Sequence, residues 1–502
     1  MKESMAKSCD RISELPDGIL ESILSSLPMK VALRSSVLSK RWRNLWKYLW
    51  IHATTLDFGK EFAKAQTQEQ FVNTVNQYLQ LHSGNKIEKF LLHFYPGEHY
   101  KANVEKWIEF AILRGVEELD LIFCQATEKY TLVEIGEYKV EIDLLAILFG
   151  YDSLVHLRTS HIELNLPIDF TGFSSLQTLC LSQVSITDDT LESIVSKCPL
   201  LTNLYLRYCN NLGSIKVAGP NLQLKTLSVI LTDAYEVDIF APNLKSVHFH
   251  GGILYGYDFR NVSALEDVFI SAAGYEHTEP EHDFIQIFSG VSHIKILTMC
   301  IAPPMHIAML EEYFPDNLPL SLPNLQELQI LIGGQIGEEY LGYTFSFFKH
   351  TICPCLEKLF IDLSCPYSPW KPDTAKEAEE PSSCFFYNLQ IVKITSFQGS
   401  HTEMKMVEFF LDKAVVLESL VLVVASDFHL EKDIDSIKEG DGVASQSENC
   451  NVPLRILHDQ LLQLPKVSTD AQILLFEHWE VDTSLCPKHK HAAYHLDNIC
   501  CY

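Results

Sequence analysis

The residues best suited to chemistry gather at the end of the chain: Cys486-Pro-Lys-His489-Lys-His491, then His495, Cys500 and Cys501. Thiolate and imidazole are zinc ligands. A zinc finger needs them paired at regular spacing, and these residues match no such pattern, so no metal site is expected. A prenylation box needs cysteine fourth from the end, where Ile499 stands. No phosphate-cradling glycine loop, dinucleotide fingerprint or nucleophile elbow stands out. No catalytic residue and no cofactor is expected. What remains is the chemistry of contact surfaces, and hence of the elements that present them.

Length and charge narrow the partners. A chain of 502 residues exceeds one ordinary core, so several units or one elongated repeat array are expected. The net charge is −26, unevenly spread. Residues 1–50 hold nine Lys/Arg against five Asp/Glu, a net of +4, which leaves −30 on the other 452. An acidic body repels phosphate backbones, so nucleic acid is not expected as a partner. A basic protein surface is the natural complement. The 14 cysteines follow no secreted-scaffold spacing, and residues 1–10 are polar with no signal-peptide core, which points to reduced thiols in the cytosol or nucleus. The longest apolar runs, such as Leu420–Ala425, fall far below the ~18 residues of a membrane span. No membrane partner is expected.

The first fifty residues carry a strong helical stripe. Leu15-Pro16-Asp17 opens it, and Pro16 suits a first helical turn, where its missing N–H removes nothing. Leu20, Ile23, Leu24 and Leu27 then recur at i, i+3, i+4 and i+7. Leu38, Trp42, Leu45 and Leu49 repeat the spacing further on, with Trp46 beside them. Three short helices cannot bury this much apolar surface among themselves. The surplus is expected to meet a partner.

The run Arg11-Ile-Ser-Glu-Leu-Pro-Asp-Gly-Ile-Leu-Glu-Ser-Ile-Leu, then Leu27-Pro28, then Val37-Leu-Ser-Lys-Arg-Trp-Arg-Asn-Leu-Trp46 resembles the F-box of plant F-box/leucine-rich-repeat proteins. The resemblance implies binding to a Skp-family adaptor and, through it, to a cullin scaffold. By position it assigns the adaptor contacts to Leu15, Pro16, Ile19, Leu20, Ile23, Leu24 and Leu27, and to Val37, Leu38, Trp42, Leu45 and Trp46. Some of these serve the F-box's own core, and the sequence does not divide the two groups.

From residue 87 a second pattern takes over: apolar, two of any type, apolar, one of any type, apolar. It starts at 87, 116, 154, 176, 201, 224, 244, 265, 294, 325, 356, 389 and 417, a mean interval of 27.5 residues. The copy at Leu154-Leu157 is degenerate, with Thr159 in third place. This is the leucine-rich repeat, in which each unit supplies one strand and a returning helix or loop. Units stack and share one core. Residues between the buried positions point outward, among them Tyr205, Arg207, His248, His250 and Phe269. These aromatic and donor groups are the candidate target contacts. The polar stretches 366–383 and 426–452 read as loops. Asn388 to Gly399 and Phe409 to Leu422 are similar to the FBD segment that ends many plant F-box/repeat proteins.

The expected fold is α/β: a three-helix F-box at 10–50, linker helices at 51–86, a leucine-rich repeat solenoid or horseshoe at 87–385, FBD-like terminal repeats at 386–480, and a Cys/His-containing tail at 481–502. The resemblance implies a non-catalytic subunit that brings a protein target to a Skp/cullin/F-box ubiquitin ligase. The alternative is an F-box scaffold or competitor that binds partners without driving degradation.

Overall fold

The computed structural model describes residues 52–124 except 65, 140–251 except 220 and 233, 256–272, 284–301, 304–308, 320–333, 338–365, 381, 384–425, 454–477 and 485–489. In the N-terminal region it describes 12, 15–25, 27, 35, 37–42 and 44–45. The loop readings at 366–383 and 426–452 fall outside these residues, Pro381 apart, and so does Trp46. The described chain forms two units, Met1–Asn211 and Leu212–Tyr502.

The first unit contains the F-box helix α1 (Asp17–Ser25) and a parallel ladder of six strands: β1 (Thr55–Phe58), β2 (Lys89–His93), β3 (Glu118–Ile122), β4 (His156–Ser160), β5 (Thr178–Ser182) and β6 (Asn203–Arg207). Each strand alternates, and every second side chain faces a shared interior. Leu56, Phe90, Leu119, Leu157, Leu179 and Leu204 sit in register and are all buried. Helices Gln68–Leu81, Lys101–Ile112 and Asp188–Lys197 return the chain between strands. Thr67 and Gln70 form a reciprocal capping box at the first of these. Thr159 is buried in the degenerate repeat, and its hydroxyl has no hydrogen-bond partner among the described residues.

Residues 51–86 were expected to supply linker helices. Two helices do lie there, Lys60–Ala63 and Gln68–Leu81, but β1 precedes them and pairs with β2. The ladder therefore begins one repeat earlier than the leucine pattern. Ala53 stands where that pattern has a large apolar residue, which hid the copy.

The second unit repeats the plan with β8 (Thr226–Ile230), β10 (Ser246–Gly251), β12 (Asp267–Ala272), β13 (Ile296–Cys300), β15 (Glu327–Gly333), β17 (Lys358–Cys365), β18 (Ile391–Phe397), β19 (Ser419–Val424) and β20 (Gln472–Phe476). Its inward row runs Leu227, Val247, Val268, Leu297, Leu328, Leu359, Val392 and Leu420, all buried. Three further strands, β7 (Ser214–Ala218), β9 (Glu236–Phe240) and β11 (Gly256–Arg260), form a second parallel sheet on the return limb, and the short strands β14 (Leu320–Ser321) and β16 (Thr351–Ile352) pair in parallel. Here strands replace the returning helix or loop that the repeat pattern leads one to expect.

The asparagines of Pro242-Asn243-Leu244 and Tyr387-Asn388-Leu389, each just before a repeat's first leucine, have a structural task. Asn243 Nδ2 donates to the Leu222 carbonyl of the preceding repeat at 2.7 Å, and Asn388 Nδ2 donates to the Pro354 carbonyl at 2.7 Å. These bonds satisfy turn carbonyls and fix one repeat's height against the next. In the FBD-like segment, Gly399 adopts φ 72°, and the Glu403 carboxylate accepts the amides of Gln398, Gly399 and Ser400. That box starts helix His401–Lys413. Among the described residues, no helix is long and apolar enough to cross a membrane.

Candidate binding surfaces

In the F-box, the structure divides residues that the sequence could not. Leu20, Leu24, Trp42 and Leu45 are buried and form its small core. Val37 and Leu38 are 80% and 67% exposed, Ile19 is 50% exposed, and Ile23 and Pro16 also face outward. Leu15 and Leu27 are half-buried. The first four spend their side chains on holding the helices together, which leaves the outward residues as the candidates for adaptor contact. Arg41 fixes the arrangement: its guanidinium donates to the Asp17 carboxylate from Nε at 2.7 Å and to the Leu15 carbonyl at 2.6 Å. The pair ties the third helical segment to the start of α1.

The outward row of the first unit reads Asp57, Leu91, Asp120, Arg158, Cys180 and Tyr205 across neighbouring strands. Arg158 meets Asp120 at 3.2 Å. Burial pushes the Asp120 carboxyl up, and the nearby Arg158 and Lys89 oppose that shift. Tyr205 and Arg207 lie half-buried on this face. Burial raises the Tyr205 phenol, so it stays protonated and able to donate.

The outward row of the second unit is different. Ser228, Phe269, Thr298, Gln329, Phe360 and Lys393 occupy equivalent positions, and all are buried; His248, in the same row, is half-buried. Part of the cover is the segment 485–489. Lys393 Nζ donates to the Leu485 carbonyl at 2.6 Å, and the Lys488 amide donates to Glu327 Oε1 at 2.6 Å. His489 then places Nδ1 2.9 Å from Thr298 Oγ1 and Nε2 3.1 Å from Asp267 Oδ1. The tail thus crosses the sheet transversely, from β18 back to β12.

Two of the expected open target contacts, Phe269 and His250, are buried, the first of them beside this cover. Phe269 is only 2% exposed, with the His489 ring 5.8 Å away. His250 is buried at the strand end between Ile230 and Ser271, which are buried as well. The tail contacts join residues 191 and 222 positions apart, so no local pattern announced them.

Around Asp267 the polar groups converge. Ser246 Oγ lies 2.5 Å from its Oδ1 and 2.9 Å from His248 Nε2, and His248 Nε2 is 3.5 Å from the same carboxylate oxygen. Burial works against ionisation of Asp267, but hydrogen bonds with His248, His489 and Ser246 outweigh it and hold its pKa below the usual carboxylate range. Burial lowers the pKa of His248, so that ring is neutral at pH 7.

Comparison with known proteins agrees with this architecture. The family model described as the At1g61320/AtMIF1 LRR domain matches residues 78–451, and the F-box domain model matches 12–54. The F-box/FBD/LRR-repeat protein At1g13570 of Arabidopsis thaliana is 27% identical over 94% of this chain and all of its own length. The Arabidopsis thaliana F-box/LRR-repeat protein 13 is 26% identical, covering 93% of this chain and 96% of its own. A third relative from the same plant, F-box/FBD/LRR-repeat protein At2g26030, is 25% identical over 89% of this chain and 99% of its own.

Proposed function

The chain belongs to the plant F-box/FBD/LRR-repeat family, and on that premise we propose that it is the substrate-recruiting subunit of a Skp/cullin/F-box ubiquitin ligase. Proteins of this kind are generally non-catalytic adaptors. The observation that carries the proposal is the apolar surface of Ile19, Ile23, Val37 and Leu38, left outside a core already closed by Leu20, Leu24, Trp42 and Leu45. Such a surface is stable when a Skp-family adaptor covers it. The adaptor then links the chain to a cullin, and bond formation falls to the conjugating enzyme and ring-finger subunit. The protein works in the cytosol or nucleus, where those partners act.

The repeats hold the target. Tyr205 and Arg207 offer an aromatic and a fork of donors on the first unit's sheet face. The acidic body favours a basic target segment.

Reconstitution tests this reading. The chain is combined with purified adaptor, cullin, ring-finger subunit and a protein it captures from proteasome-inhibited cells. Ubiquitin transfer to the captured protein should require both the chain and an intact F-box surface. Capture should weaken as salt rises, because exposed charges are screened within about 10 Å at 0.1 M. A captured protein whose ubiquitin state and half-life ignore the chain would favour the scaffold reading instead.

A further inference from the structure

We infer that His248, Asp267 and His489 form a zinc site that clamps the C-terminal segment onto the sheet face of the second unit. Their ligand atoms all lie within 4.8 Å of one another in a largely buried cluster. Two imidazoles and a carboxylate are a zinc donor set. With bonds of about 2.0–2.1 Å, a tetrahedral zinc spaces its ligand atoms about 3.3 Å apart. The two measured edges to Asp267 Oδ1 are 3.1 Å from His489 and 3.5 Å from His248. The third edge, between the two imidazole nitrogens, lies within 4.8 Å.

His489 Nδ1 lies 2.9 Å from Thr298 Oγ1, whose hydroxyl also lies 3.1 Å from Gln329 Oε1, and this leaves Nε2 as the ring atom aimed at Asp267 Oδ1, 3.1 Å away. Metal-bound histidines usually donate their second ring N–H to an outer partner, and Thr298 backed by Gln329 is such a partner. Ser246, at 2.5 Å, orients the carboxylate in the same way. Phe269, edge-on to both imidazoles at 6.0 and 5.8 Å, gives the site an apolar wall. Zinc held by these three ligands would take its fourth from solvent.

The competing arrangement is an imidazolium of His489 on Asp267 with no metal, and the experiment separates the two. Full-length chain is stripped with chelator and titrated with Zn²⁺ alone against a chromophoric zinc chelator. One equivalent should bind. Affinity should fall by about 100-fold or more in His248→Gln, Asp267→Asn and His489→Gln, and by about 10–100-fold in Thr298→Val. Cys486→Ser and His491→Gln should stay within about twofold of the parent chain. Zinc should also protect the tail from proteolysis in the parent chain and not in His489→Gln. That variant lies outside the repeat core, so it remains informative if a strand variant fails to fold. No saturable binding by the parent chain, or loss confined to the Cys486 and His491 variants, overturns the inference. So does unchanged affinity in the three ligand variants.

Discussion

Leu328→Ala should lower the unfolding free energy by about 2–5 kcal/mol, the cost of lost transfer energy plus a cavity. Leu328 is fully buried in β15 and stands in register between Leu297 and Leu359, which are fully buried too. Neighbours held on both flanks by parallel hydrogen bonding cannot easily collapse into the space. Folded proteins hold only about 5–15 kcal/mol in all, so the loss is a large share. Repeat stability is close to a sum of unit and interface terms, so the damage should be greatest in β13, β15 and β17. Hydrogen exchange is the proper readout, because it reports local opening where a single melting curve averages over repeats. Amides of those three strands should exchange faster by a factor set by the lost free energy. Unchanged protection there would mean that the inward row is drawn wrongly.

Trp42→Ala should unfold the F-box outright. Removing a buried tryptophan costs about 3–5 kcal/mol. The core it leaves, Leu20, Leu24 and Leu45, belongs to a segment too small to absorb that loss. Limited trypsin digestion should show rapid cleavage at Arg41 and Lys40 in the variant, with the repeat fragment intact. Ser39 and Arg41, which hold the helix start and tie it to Asp17, should lose their contacts together with Trp42. A variant that resists trypsin as the parent chain does would remove Trp42 from the core.

The contrast with Val37 and Leu38 shows how far the sequence could be read. Helical spacing marked the whole apolar stripe, because periodicity records which residues share a face. It could not say which side chains are covered by the F-box itself, since that depends on how three helices cross. Leu20 and Ile19 are adjacent and both apolar, yet one is fully buried and the other half exposed.

The repeats were legible for a simpler reason. A strand alternates with period two, and leucine at fixed offsets is the direct imprint of one buried row. Each of the thirteen leucine patterns falls on a strand of the ladder, including the degenerate one at β4, where Thr159 takes the buried place. The strands β7 and β9 were equally open to reading: Ile215 and Val217, then Val237 and Ile239, alternate with polar residues. The expectation of helices or loops between repeats hid them. The docking of His489 on Asp267 was not legible at all. It depends on a tail returning across 222 residues, and the tail's own Cys/His spacing, considered alone, pointed away from any metal.

The central claim is that the F-box surface binds a Skp-family adaptor. Its most direct test is calorimetric titration of purified adaptor into the purified full-length chain and into Val37→Glu/Leu38→Glu. Both positions are exposed, so the double variant should keep the parent's melting behaviour. Burying two unpaired carboxylates in an apolar interface is costly. The parent chain should bind one adaptor, and the double variant should lose at least about 100-fold in affinity, roughly 2.7 kcal/mol. Equal affinity in a folded double variant, or no binding by the parent chain, would contradict the account.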